Sequence, residues 1–163
     1  MLRSRLLSFV ATFAVVAAGL VAASGSASAA NLIANPGFET GSTSGWTCLG
    51  NNTVTRSPVH SGTYALATTS VGLGIGRCSQ TVAVKPNTTY TVSVWVQGGP
   101  ARLGIDLCCS ISDTAAGYTK LSMPFVSGAS QTSAELFVHG FYGAGTVYFD
   151  DVVLDGPGGV VLS

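Results

Sequence analysis

Charge is what this sequence has least of. Only 9% of its 163 residues are Asp, Glu, Lys or Arg, with seven of each sign. Such a chain offers no basic stripe for nucleic-acid phosphates, so no nucleic-acid partner is expected. It lacks equally the acidic excess of a disordered tail. Histidine is confined to His60 and His139, and the four cysteines include no CxxC, so zinc-ligand spacing is missing. No window past residue 31 carries a 3.6-residue hydrophobic period, which argues against a helical domain. GxSxG is absent, and no Ser or Cys nucleophile stands beside a His in a recognisable setting. Gly72, Gly74 and Gly76 imitate a phosphate loop, but no helix follows them.

Long apolar runs are missing too, with one exception. Arg3 and Arg5 precede an apolar stretch over residues 6–23, and Ala27-Ser28-Ala29 then supplies the small residues that a signal peptidase needs. Residues 1–29 therefore read as a signal peptide, and the protein as secreted and extracellular. No second stretch is long enough to span a bilayer, so no membrane association is expected after cleavage. Removing the leader takes two arginines and leaves five basic residues against seven acidic, a net of −2 over 134 residues. That length fits one domain. Export also permits disulfides.

What the mature chain does have is alternation, with 21 glycines in the whole sequence to punctuate it. Over residues 89–97, Tyr90, Val92, Val94 and Val96 fall on one face, and Thr91, Ser93, Trp95 and Gln97 on the other. Leu103, Ile105 and Leu107 alternate with Arg102, Gly104 and Asp106 over residues 102–109. Leu121, Met123 and Phe125 alternate with Lys120 and Ser122. Ala134, Leu136 and Val138 alternate with Glu135, Phe137 and His139. A last strand is expected over 146–154, and earlier ones near 31–33, 52–56, 63–68 and 78–84. Turns are expected at 41–45, 85–87, 98–100, 127–128 and 143–145, where Gly, Pro and Asn cluster. Eight or nine short strands at this spacing predict an antiparallel β-sandwich of the jelly-roll kind. The domain is placed at residues 30–155, with a Gly/Pro tail over 156–163.

Several segments then resemble a known family. Residues 31–39 (NLIANPGFE), Ser44-Gly45-Trp46, residues 60–66 (HSGTYAL), residues 86–96 (PNTTYTVSVWV) and residues 145–154 (GTVYFDDVVL) occur in order and at the right spacing. Together they are similar to carbohydrate-binding modules of the family 4/9/22 group. Residues 138–143 (VHGFYG) and the Gly-Pro-Gly-Gly tail resemble the modules attached to secreted actinobacterial chitinases and related glycosidases. The resemblance covers nearly the whole mature chain. It implies a jelly roll that binds polysaccharide and holds a structural Ca2+. By it, Glu39 and Asp150 supply carboxylates to the calcium, and Gly37 and Thr63 supply carbonyls. The residues agree in kind: first and last strands pair in a jelly roll, and a hard cation takes oxygen ligands. Four cysteines allow three pairings, and the resemblance favours Cys48 with Cys78. Cys108 and Cys109 are left as a vicinal disulfide or free thiols; alternation would send them to opposite faces and bury Cys109 beside Leu107.

Sugars are held by aromatic faces together with a few polar groups that fix hydroxyls. If Tyr90 and the three valines build the core, Trp95 stands on the outside. Phe137 and His139 are outside by the same parity, and Arg102 and Asp106 are assigned to that side. Phe141 and Tyr142, in a glycine-flanked loop, are candidate rim contacts. Trp46 reads as core. A glycosidase needs two carboxylates across a cleft, and Asp106 with Glu135 is the pair that could share a face. The expectation is a secreted, monomeric, non-catalytic module for insoluble polysaccharide of the chitin, xylan or β-glucan class. An extracellular protein-interaction or adhesion domain on the same fold, and a small hydrolase using Asp106 and Glu135, are the alternatives.

Overall fold

The structure is a computed structural model that describes residues 30–70 and 74–156. The signal peptide expected over 1–29 and all but the first residue of the Gly/Pro tail lie outside the described residues, as does Gly72. Among those described there is no helix. Eight strands follow in order: β1 (Thr47–Leu49), β2 (Asn51–Thr55), β3 (Ala65–Thr69), β4 (Arg77–Ala83), β5 (Thr89–Ile105), β6 (Cys109–Val126), β7 (Ser133–Gly140) and β8 (Thr146–Asp155). All pairings are antiparallel, in the order β1-β4-β7-β5-β8-β3-β2, with β6 against β5. The fold is a jelly-roll β-sandwich.

The sandwich is organised by β5, which serves both sheets. Its first half pairs with β8 through Thr91–Gln97 contacts, and its second half pairs with β7 from Ala101 to Ile105. β6 accompanies it along both halves. The core is filled by alternate residues of each half: Tyr90, Val92, Val94 and Val96 first, then Ala101, Leu103 and Ile105. The buried positions thus change from even to odd numbers across Gly98-Gly99-Pro100.

That segment is the first correction to the sequence reading. It is expected as a turn, yet it lies inside β5, where the pairing with β6 shifts register on both sides of Gly98. Gly98 and Gly99 take φ of 84° and 139°, values open to glycine, so the chain bulges and changes sheet without reversing. The reversal comes later. Leu107, expected in the core with Ile105, sits fully exposed at φ 58° in the turn between β5 and β6. The expected strand at 31–33 shrinks to one bridge, Asn31 to Asp155. Asn31 uses its side chain in place of a ladder: Oδ1 accepts from the Leu154 amide at 3.0 Å and Nδ2 donates to the Val152 carbonyl at 2.9 Å. β1 is a strand that the alternation did not reveal. Cys48 lies opposite Cys78 in its pairing with β4, and the two form a disulfide.

Candidate functional site

The outward residues of β4, β7 and the second half of β5 make one continuous surface. Register places Arg77 of β4 beside His139 of β7, and His139 beside Arg102 of β5. Phe137 precedes His139 on the same side and faces Gly104. A Cβ built on Gly104 would lie 2.3 Å from Cζ of Phe137. The ring therefore lies down across the β5 backbone, and only glycine leaves room for it. The rings of Phe137 and His139 are nearly parallel, 13° apart with centroids at 5.7 Å. Phe141, past the end of β7, meets His139 edge-on at 5.0 Å. Each phenyl ring carries a guanidinium: Arg77 lies 4.6 Å from the Phe137 centroid and Arg102 lies 4.7 Å from that of Phe141. Cation–π contact and planar stacking both favour this arrangement. Tyr142 is exposed at the rim.

The charges run from one end of this surface to the other. Arg77 reaches past Phe137 to Glu135 at 3.1 Å and to Asp106 at 3.9 Å. A groove of about 470 Å³ opens at that acidic end, between the β5–β6 turn and β7, and is lined in part by Thr81, Asp106, Leu107, Cys108 and Glu135. His139 in the middle is buried, and burial lowers its pKa below the ordinary histidine value, with Arg102 and Arg77 adding to the shift against a bond to the Gly140 carbonyl. The ring is thus neutral at physiological pH. Glu135 and Asp106 do not resemble an acid/base pair. Both are engaged by one guanidinium, that of Arg77, at 3.1 and 3.9 Å, which is the arrangement of an ion-pair network.

Trp95 does not belong to this surface. Since β5 changes sheet after Gln97, Trp95 stands on the outer side of the β2-β3-β8-β5 sheet, whereas Arg102, Phe137, His139 and Phe141 stand outside the other. The parity argument that joined them holds only along an unbroken strand, and the bulge at Gly98–Pro100 breaks it. Trp95 also has company: the His60 ring stacks on it with centroids at 3.8 Å and planes 14° apart. Tyr118 meets His60 edge-on and donates its hydroxyl proton to the Pro58 carbonyl at 3.2 Å. His60 Nδ1 lies 2.7 Å from Asp151 Oδ2. One face of the indole is thus occupied by the loop between β2 and β3.

The same loop meets the two carboxylates assigned to calcium. The Thr63 and Tyr64 amides donate to Glu39 Oε1 at 3.1 Å each. The His60 and Ser61 amides donate to Asp150 Oδ2 at 2.8 and 3.1 Å. Gly37 adjoins both acids: a Cβ there would lie 3.4 Å from Asp150 Oδ1 and 3.6 Å from Cγ of Glu39. Asp150 is fully buried, and no Lys or Arg pairs with it among the described residues. Burial raises its pKa, with Asp151 adding repulsion, while the amide bonds pull the other way. A buried carboxylate without a cation is costly. Glu39, Asp150, Gly37 and Thr63 are thus brought together at one place, with carboxylate oxygens of the kind a hard cation takes.

Cys108 is exposed and Cys109 half-buried, and both are free. Desolvation, then the neighbouring Cys108, push the Cys109 thiol up to about 11. Cys108 falls in the turn, so the expected opposition of the two on one strand does not apply.

Residues 30–133 match the family described as Carbohydrate binding domain, the 4/9 group of such modules. The chain belongs to that family. It is a non-catalytic carbohydrate-binding module. It is similar to Exochitinase 1 of Streptomyces olivaceoviridis, 40% identical over 164 residues, which cover 96% of this chain and 27% of that enzyme. The chain thus spans about a quarter of the length of that relative. In structure it is similar to a family 16 carbohydrate-binding module, with a TM-score of 0.65 and 20% identity over 76% of this chain and 99% of that one. It is also similar to the xylan-binding CBM22-1 domain of a Paenibacillus barcinonensis protein, with a TM-score of 0.60 and 19% identity over 83% and 100%.

Arg77 is the residue of this module's open face that sequence reasoning missed. Its signal was present: it precedes Cys78, whose inward parity puts Arg77 outside with Ser79. The stacking of His60 on Trp95 had no signal, because loop placement carries no periodicity.

Proposed function

We propose that this module is exported and binds insoluble polysaccharide of the chitin, xylan or β-glucan class through the outer face of the β1-β4-β7-β5 sheet. The observation that carries this reading is the flat seat of Phe137 on Gly104, within a row that runs Arg77, Phe137, His139, Phe141, Arg102. Sugar rings offer C–H faces to aromatic planes, and their hydroxyls accept from guanidinium N–H groups or donate to carboxylates. A row of alternating planar apolar and charged groups along one sheet supplies both. Calcium, held by Glu39 and Asp150 with the carbonyls of Gly37 and Thr63, would fix the loop between β2 and β3 on the opposite side.

The similarity to an exochitinase makes chitin the first polymer to try, and the similarity to a xylan-binding domain makes xylan the second. The test is a depletion assay with calcium present. Mature protein is mixed with insoluble chitin, xylan, β-glucan and cellulose, and the unbound fraction is measured. The reading expects removal by at least one polymer and loss of that removal in Phe137→Ala and Phe141→Ala. If no polymer depletes the protein, the extracellular protein-interaction reading replaces it. If both variants deplete like the wild type, the sugar lies elsewhere on the module.

A further inference from the structure

The two arginines on the open face are in different states. Arg77 has two carboxylates, Glu135 and Asp106. Arg102 has none among the described residues, although it is half-buried. Its Nε, like that of Arg77, is closed off from solvent with no hydrogen-bond partner; unlike Arg77, it makes no ion pair among the described residues. The other cations without an acid, Arg56, Lys85 and Lys120, are exposed, where water solvates them. A partly buried guanidinium without a counter-charge costs free energy. Hydroxyls alone could be met by Asn or Gln without that cost. The planar fork of a guanidinium is matched to a carboxylate, which it can bind through two parallel N–H···O bonds. Phe141 beneath it holds the fork in one plane, and the neutral His139 ring adds no second cation.

The far end of the face limits how much negative charge a ligand can carry. Glu135 and Asp106 share one arginine, so that end carries a net negative charge. Glu135 on β7 and Phe141 just past its end are six residues apart, at most roughly 20 Å at about 3.3 Å per residue. A polymer charged at every sugar would lay carboxylates against these acids.

On the reading of this face as the glycan platform, we propose that the module recognises a largely neutral polysaccharide bearing isolated uronic acids, and that Arg102 takes the uronic carboxylate.

The test compares glucuronoxylan with the same polymer after its uronic carboxyls have been reduced to alcohols, using affinity electrophoresis and calorimetry on the mature protein. The wild type is expected to bind the acidic form about tenfold more tightly, the equivalent of about 1.4 kcal/mol. Added salt should shrink that ratio, since the pair is partly exposed. In Arg102→Gln the ratio should fall to about one. Arg102→Lys, which keeps the charge and loses the fork, should retain part of it. Melting curves of both variants establish that they are folded. Equal wild-type affinity for the two polymers overturns the inference and leaves the platform standing, as does an Arg102→Gln variant that keeps the ratio. Tighter binding of polygalacturonate than of glucuronoxylan overturns the requirement for isolated charges. If neither xylan form binds and the neutral panel also fails, the platform reading falls with it.

Discussion

The outer faces of the two sheets start from similar material and end in different states. Each has an aromatic residue projecting from β5 or its neighbour and a histidine beside it. On the β2-β3-β8-β5 side, the loop between β2 and β3 lays His60 on Trp95 at 3.8 Å, and its backbone amides seal Asp150 from solvent. On the β1-β4-β7-β5 side no such loop among the described residues covers Phe137; its ring lies on Gly104 with the Arg77 guanidinium over it and the His139 ring beside it. An outward aromatic is thus a platform only where no segment of its own chain has taken its face. The first face holds the loop and the calcium candidates; on the second, side chains and no loop lie over the phenyl rings, so a ligand there would meet guanidinium and ring together.

The sharpest way to break this comparison is through the closed side. A calcium ion bound only by the folded state stabilises it by about 2.7 kcal/mol at a hundredfold excess over its dissociation constant. Chelation should lower the melting temperature, and Asp150→Ala should abolish that sensitivity. Identical melting with and without chelator removes calcium from this side. Next in size is Trp95→Ala. It should cost roughly 2 kcal/mol, about half the 3–5 typical of a fully buried Trp, and leave polysaccharide retention in place. Loss of retention at unchanged stability would instead make Trp95 the platform.

The open side should respond in the opposite sense. Phe137→Ala should weaken polysaccharide binding at least tenfold, about 1.4 kcal/mol, with little change in denaturation midpoint. Gly104→Ala sharpens the point, because it removes no group that touches sugar. Its methyl must lift the ring of Phe137, so binding should weaken severalfold while the fold persists; wild-type affinity would show that a flat seat is not required.

The smallest effect is a pH slope from His139. Its folded pKa is lowered, so the unfolded chain takes up its proton first. Stability from this group is full above about pH 6.5, the unfolded value, and declines as pH falls from there through the folded value. Melting temperatures between pH 7.5 and 5.5 should fall less in His139→Phe than in the wild type. Equal slopes would mean that folding does not lower the pKa of this ring.

Much of this was legible in the chain. Period-two alternation placed Tyr90, Val92, Val94, Val96, Leu121, Leu136 and Val138 in the core, and all are buried. It also put Phe137 and Trp95 outside, because a strand sends neighbours to opposite faces whatever the fold. What failed was the extension of one parity across Gly98-Gly99-Pro100. A Gly-Gly-Pro run reads equally as a turn or a bulge, and only the partners on either side, β8 and then β7, show that it is a bulge. The same ambiguity sent Leu107 into the core on paper and onto a hairpin tip in space.

The sequence by itself determined the alternation, the all-β class, the scarcity of charge and the family, since each rests on local pattern or on motifs in order. Tertiary structure alone decided that Arg77 and Arg102 flank His139, that one guanidinium has two carboxylates while the other has none, and that His60 closes over Trp95. These are contacts between residues 29 to 62 positions apart in the chain. Their existence depends on which strands become neighbours and where a loop comes to rest, and the periodicity of a single strand encodes neither.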